Sequence, residues 1–169
     1  MSIYKLSQTD GTLDEYRIVG FPMPDTVNNG LIISRKGRLT KSAGQRAFFS
    51  SVDLFAYRHA RALTQIRHEL KTLIESGYTL GVDCYFAFPH DKLFYKRKGT
   101  PSRMDANNRL KPTLDGLAKC LTIDDAYFFA GNCEKVVTDG EASVSITIRA
   151  HCVQRLADLD FELGKLKPL

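Results

Sequence analysis

Residues 105–125 read DANNRLKPTLDGLAKCLTIDD. Leu110, Leu114, Leu117, Ala118 and Leu121 fall within about 100° of arc at 3.6 residues per turn, the apolar stripe of an amphipathic helix. Asp105, Asn108, Lys111 and Asp115 fall on the opposite arc. Pro112 has no N–H to give to the helix ladder and is tolerated in a first turn, so the regular helix is expected to start close to Arg109. Asp124 and Asp125 close the connection to the next segment.

Strand patterns lie on both sides. Upstream, Thr79 to Phe88 alternates, with Leu80, Val82, Cys84, Phe86 and Phe88 on one face, and Pro89 ends it. Before it, Ala47 to Glu75 shows helical spacing throughout and reads as one long helix stopped by Gly77. Tyr16 to Phe21 reads as a first strand. Residues 25–46 read as loops around a short strand, Leu31 to Ile33. Downstream, Tyr127 to Val137 and Ala142 to Cys152 alternate around a Thr138-Asp139-Gly140 turn, the signature of a hairpin. The tail, 155–169, is expected to hold a short helix before Gly164. The expected fold is therefore a single α/β domain over residues 1–169, with its core at about 16–150. It has a mixed sheet, a long first helix, a second, motif-bearing helix and a C-terminal β-hairpin.

At 169 residues the chain is long enough to bury a core without disulfide or metal staples. Hydrophobic residues at 43% and charged residues at 25% exclude a disordered, collagenous or coiled-coil chain. No apolar run is long enough to span a membrane, and the first residues lack an apolar signal core, so a cytoplasmic protein is expected. Cys84, Cys120, Cys133 and Cys152 form no C-x-x-C pair and sit in apolar segments, which predicts buried, reduced thiols. The net charge of +5 permits a nucleic-acid partner without requiring one. The cations concentrate in two places. Arg35, Lys36, Arg38, Lys41 and Arg46 run with no acid between them, and Lys92, Lys96, Arg97, Lys98 and Arg103 crowd an expected exposed loop at 90–104. Both runs read either as solvated loops or as phosphate-contacting arms.

The acids admit two readings as well. Asp105 caps helix N-termini well and Asp124-Asp125 suits a turn. Alternatively, they are hard oxygen ligands of the kind Mg2+ takes, with Lys111 placed to neutralise a phosphate. A helix of about 15 residues would hold its two ends roughly 20 Å apart. A shared site therefore requires the chain to fold back after Leu121, or a shorter helix with a returning loop.

The combination of residues narrows this choice. The stretch resembles the RusA family of Holliday-junction resolvases, whose pattern is D-x-D-N-x-x-K-x-x-x-D, then a short apolar helix and D-D. Asp105, Asn108, Lys111 and Asp115 match it, as do Asp124 and Asp125; Pro112 after the lysine is also similar to the family. Upstream, Val27-Asn28-Asn29 and the run Leu39 to Phe48 resemble the family's N-terminal region. One position departs: the family's second Asp is Asn107 here, an amide that keeps a ligating oxygen but loses the charge.

The resemblance implies a homodimeric, Mg2+-dependent endonuclease, with Mn2+ as an alternative ion. It would act on four-way junctions and other branched DNA in recombination and repair. It implies Asp105 and Asp125 as metal ligands, Asp124 as a ligand or an orienting neighbour, Asn107 as a weak ligand or a group behind the ligands, Lys111 at the phosphate, and Asn108 and Asp115 as supporting groups that orient the site or Lys111 rather than bind metal. Arg35, Lys36, Arg38, Lys41, Arg46, Lys96, Arg97, Lys98, Arg103 and Arg109 are the expected DNA-contacting cations. Phe128-Phe129 is read as core or as a stacking wedge at the junction. Two other readings stand beside the enzyme: a junction binder that lost activity with the charge at Asn107, and a basic protein whose acids only cap and turn.

Overall fold

The computed structural model describes residues 2–6, 15–24, 31–33, 39–94, 100 and 106–151. In chain order these form β1 (Ser2–Leu6), β2 (Glu15–Phe21), β3 (Leu31–Ile33), β4 (Leu39–Lys41), α1 (Ala43–Arg58), α2 (Ala60–Glu75), β5 (Thr79–Pro89) and α3 (His90–Leu93). They continue with α4 (Asn107–Leu121), a 3-10 turn (Asp125–Tyr127), β6 (Phe128–Ala130), β7 (Cys133–Thr138) and β8 (Ser143–His151). The α/β class is the expected one. The expected tail helix lies outside the described residues.

The main sheet runs β1-β2-β8-β5, and β6 and β7 both lie along the far side of β5. β5 is parallel to β6 and β7 and antiparallel to β8. A parallel pair needs a crossover, and α4 supplies it between β5 and β6. β3 and β4 pair separately.

The expected C-terminal hairpin is corrected here. β7 and β8 do not pair with each other, because β5 lies between them. Residues 139–142 instead reach across two inter-strand spacings, about 10 Å. β5 is buried along most of its length and takes a neighbour on each side, whereas β7 holds only exposed and half-buried residues, with none fully buried, as an edge strand does. Tyr127 to Val137 is likewise not one strand. It breaks at Gly131, where a Cβ would lie 1.9 Å from the carbonyl oxygen of Val82. Only glycine allows that approach.

The long first helix is also corrected. It breaks at His59, between α1 and α2, and begins at Ala43 rather than Ala47. The apolar spacing runs unbroken across the break, with Val52 and Phe55 buried before it and Leu63 and Ile66 after it, so periodicity does not reveal it. The earlier start has a local cause: the Ser42 hydroxyl accepts the Gln45 N–H at 3.1 Å, which satisfies one otherwise unpaired donor of the first turn.

One face of β5, β2 and β8 meets the helices. Tyr16, Ile18, Leu80, Val82, Cys84, Phe86, Ile146 and Ile148 join Phe48, Val52, Phe55, Leu63, Leu70, Leu117 and Leu121 in one core. Each fully buried Leu or Ile contributes about 1.5–3 kcal/mol, so α4 is anchored chiefly through Leu117 and Leu121. Gly116 lets α4 approach α1; a Cβ there would lie 3.0 Å from the Phe48 ring. The helix starts two residues before Arg109, so Pro112 sits inside it, buried against the core. The buried face of α4 is Thr113, Gly116, Leu117, Cys120 and Leu121, with Leu110 and Leu114 only half-buried. The expected stripe is thus rotated toward the small residues. Cys84 and Cys120 are buried free thiols, as expected, and burial pushes both up to about 12, so they stay protonated; Cys133, also expected to be buried, is only half-buried. Among the described residues, no helix is long and apolar enough to cross a membrane.

Candidate active site

On α4, Asn107, Lys111 and Asp115 recur every fourth residue, so they stack as a polar ridge on one side of the helix. Ala106, buried just before them, ties the start of the ridge to the core. Arg109 adds a second tie. Its guanidinium donates to the Pro24 carbonyl and lies 5.5 Å over the Phe88 ring. It was expected among the DNA-contacting cations, but the structure turns it toward the end of β2 and onto β5.

The helix ends in a sharp reversal. Thr122 takes a left-handed conformation, φ 52 and ψ 46. The Ile123 N–H bonds back to the Ala118 carbonyl at 3.1 Å and the Ile123 side chain is buried. This is a Schellman closure with its apolar contact. A β-branched residue is strained there, so the turn is held by what surrounds it. The chain then runs back along α4. Asp124 accepts the Ala126 N–H at 2.9 Å and caps the 3-10 turn. Asp125 reaches Lys111.

Lys111 Nζ lies 2.7 Å from Asp115 Oδ1 and 2.5 Å from Asp125 Oδ2. Of the two geometries open to the sequence, the chain uses the fold-back. The hydrogen bonds that Lys111 donates to Asp115 and then to Asp125 raise its pKa, and the one Asp125 accepts from Lys111 lowers that of Asp125. Lys111 and Asp125 are therefore both charged at neutral pH. The Lys111 side chain is still 62% exposed, which leaves its ammonium within reach of a solvent-borne anion.

The donors offered along the ridge and turn are carboxylate and amide oxygens, hard ligands that suit Mg2+ or Mn2+. Among the described residues no group of three His, Cys, Asp or Glu converges. Asp105, the remaining motif carboxylate, lies outside the described residues, two positions before α4. The donor types are those a hard divalent ion takes, offered by Asp124 and Asp125 on the turn and by Asn107 at the start of α4.

A groove beside the ridge is lined by Val82, Leu110, Leu114, Phe128, Phe129, Ala130 and Gly131. The two phenylalanines that line it differ in burial: Phe128 packs on the core, whereas Phe129 is 60% exposed.

The family model for endodeoxyribonuclease RusA matches residues 32–149. The chain belongs to the RusA endodeoxyribonuclease family. That span holds α1, α2, β5, the whole of α4 with its returning turn, and most of β8. In this RusA-family chain the polar ridge of α4 lies within the matched span. No curated protein matches the chain.

Of the expected DNA contacts, Arg35, Lys36, Arg38, Lys96, Arg97, Lys98 and Arg103 lie outside the described residues. Lys41 is exposed, with its ammonium 3.9 Å over the Phe49 ring. Arg46 donates to the Lys41 carbonyl at 2.5 Å. Lys119 lies 5.8 Å from the same ring and pairs with Asp53. The sequence reading did not single out Lys119, because its partners come from α1. It also missed Thr122, since a left-handed cap signals itself only through Gly or Asn.

Proposed function

We propose that this protein is a divalent-metal-dependent endonuclease that resolves four-way junctions and other branched DNA by paired phosphodiester cuts. It is a single-domain, cytoplasmic homodimer acting in recombination and repair, each subunit cutting one strand. The observation that carries this reading is the fold-back that sets Asp125 against Lys111 on the ridge that begins at Asn107. Asp105, Asp124 and Asp125 are the residues to hold Mg2+ or Mn2+, with Asn107 as a neutral oxygen. When bound, such an ion neutralises developing charge and acidifies water.

The chain's own residues then divide the remaining work. Lys111, permanently protonated and exposed, balances the charge of the scissile phosphate. Asn108 and Asp115 support the ridge. Thr122 and its closure fix where Asp125 points. The cations of residues 35–46 and 92–103 supply attraction to phosphates that carries no base information.

Asn107 favours one other reading, a junction-binding protein with impaired catalysis. The deciding experiment incubates a labelled four-way junction with and without Mg2+, using Asp105→Asn as control. Symmetrical metal-dependent cuts that disappear in the control support the nuclease. Tight junction binding without cuts at any Mg2+ or Mn2+ concentration supports the binder.

A further inference from the structure

An exposed lysine paired with an acid one turn along its helix is ordinary surface chemistry. Lys111 differs because a second carboxylate, from outside the helix, meets the same ammonium. The two acids are not equivalent. Asp125 sits on the returning turn, in the pair with Asp124 that the nuclease reading assigns to a cation. Asp115 sits on α4 itself, four residues from Lys111, so the helix backbone holds it beside the lysine whatever Asp125 is engaged with. Lysine is a point charge on a long, many-rotamer stem, and it loses much freedom when fixed. A phosphate-neutralising lysine needs one partner that stays.

We infer that Asp115 is a positioning residue rather than a metal ligand: it holds the Lys111 ammonium on the ridge when Asp125 is engaged elsewhere. The inference rests on the nuclease reading.

The test is a double-mutant cycle in the full-length protein, read by single-turnover junction cleavage and by Mn2+ binding followed through its EPR signal. Asp115→Asn is expected to slow cleavage by about 10–100-fold, the usual cost of losing a group that orients another. Junction affinity and Mn2+ affinity should stay within about twofold. In a Lys111→Met background Asp115→Asn should cost nothing further, because residues that act through one another are non-additive. Asp115→Glu, which keeps the pair with a longer arm, should recover part of the rate. Independent losses from the two substitutions, or Mn2+ affinity falling about tenfold in Asp115→Asn, would overturn the inference while leaving the nuclease intact. A wild-type protein that cuts no junction with either metal would overturn the nuclease reading itself, and the inference with it.

Discussion

Lys111 and Asp125 stand 14 residues apart in the chain and meet at 2.5 Å. A straight helix would have carried the chain away from Lys111 after residue 121. The left-handed Thr122 reverses it, and burial of Ile123 secures the reversal. The acids beyond the helix thus return to its polar ridge.

Asp125→Asn and Asp105→Asn are each expected to abolish junction cleavage while metal-free junction binding persists or tightens. Removing negative charge near DNA does not weaken attraction to phosphates. Gel-shift titration in a chelator, beside cleavage in Mg2+, measures both. A folded variant that no longer binds the junction would contradict this division of labour.

Asn107→Asp is expected to lower the Mg2+ concentration needed for half-maximal cleavage. Gaining a charged contact of about 1–3 kcal/mol corresponds to a several-fold to hundredfold change. A Mg2+ titration of both proteins reads it directly. An unchanged or raised requirement removes Asn107 from the metal site, and activity found only in the variant identifies the natural protein as the impaired binder.

Junction binding should depend steeply on salt. If about six phosphates are neutralised by the cations of residues 35–46 and 92–103, log K falls against log salt with a slope of roughly −5. Fluorescence anisotropy between low and physiological salt gives the slope. A value shallower than about −2 would assign these runs to solvated surface.

Thr122→Gly should raise thermal stability. It relieves a left-handed β-branched residue, worth about 1–2 kcal/mol, against about 0.5–1 kcal/mol of added unfolded-state entropy. Calorimetry should find the melting temperature a few degrees higher. A fall would mean that Thr122 makes contacts that outweigh its backbone strain.

Glu69 gives a pH signature remote from the site. Hydrogen bonds from Lys5 and then Tyr16 lower its pKa from 4.5 to about 2. A depressed folded-state pKa contributes stability that is fully present above the unfolded value and is lost as pH falls through the folded one. The stability difference between the natural protein and Glu69→Gln should therefore be full above pH 4.5 and fade toward pH 2. Urea unfolding at several pH values measures it. A pH-independent difference would show that the interaction does not need the charge.

Much was legible beforehand because it is local. The β5 face from Leu80 to Phe88 alternates at period two, and all five of its predicted inward residues are buried. β2 and β3 were found, and the spacing of the motif placed α4 to within two residues of its start. Less local features escaped. β1 and β4 are short and carry no distinctive pattern, and the bend at His59 leaves apolar spacing untouched. The buried face of α4 runs through Thr113, Gly116 and Cys120, and at Gly116 its partners are the Phe48 and Val52 side chains, which need a small residue opposite them.

The sequence by itself determined the types of the longer elements, the α/β class, and the polar residues whose spacing matches the family, since all of these follow from short-range periodicity and side-chain chemistry. Which strands became neighbours was decided only in the tertiary structure. An alternating segment such as Cys133–Thr138 suits any partner, and it was the need of buried β5 for hydrogen bonds on both sides that put β7 and β8 on opposite flanks. The meeting of Lys111 with Asp125 was decided there too. It depends on a backbone reversal at a threonine that has no local preference for one, held by the core into which Ile123 packs.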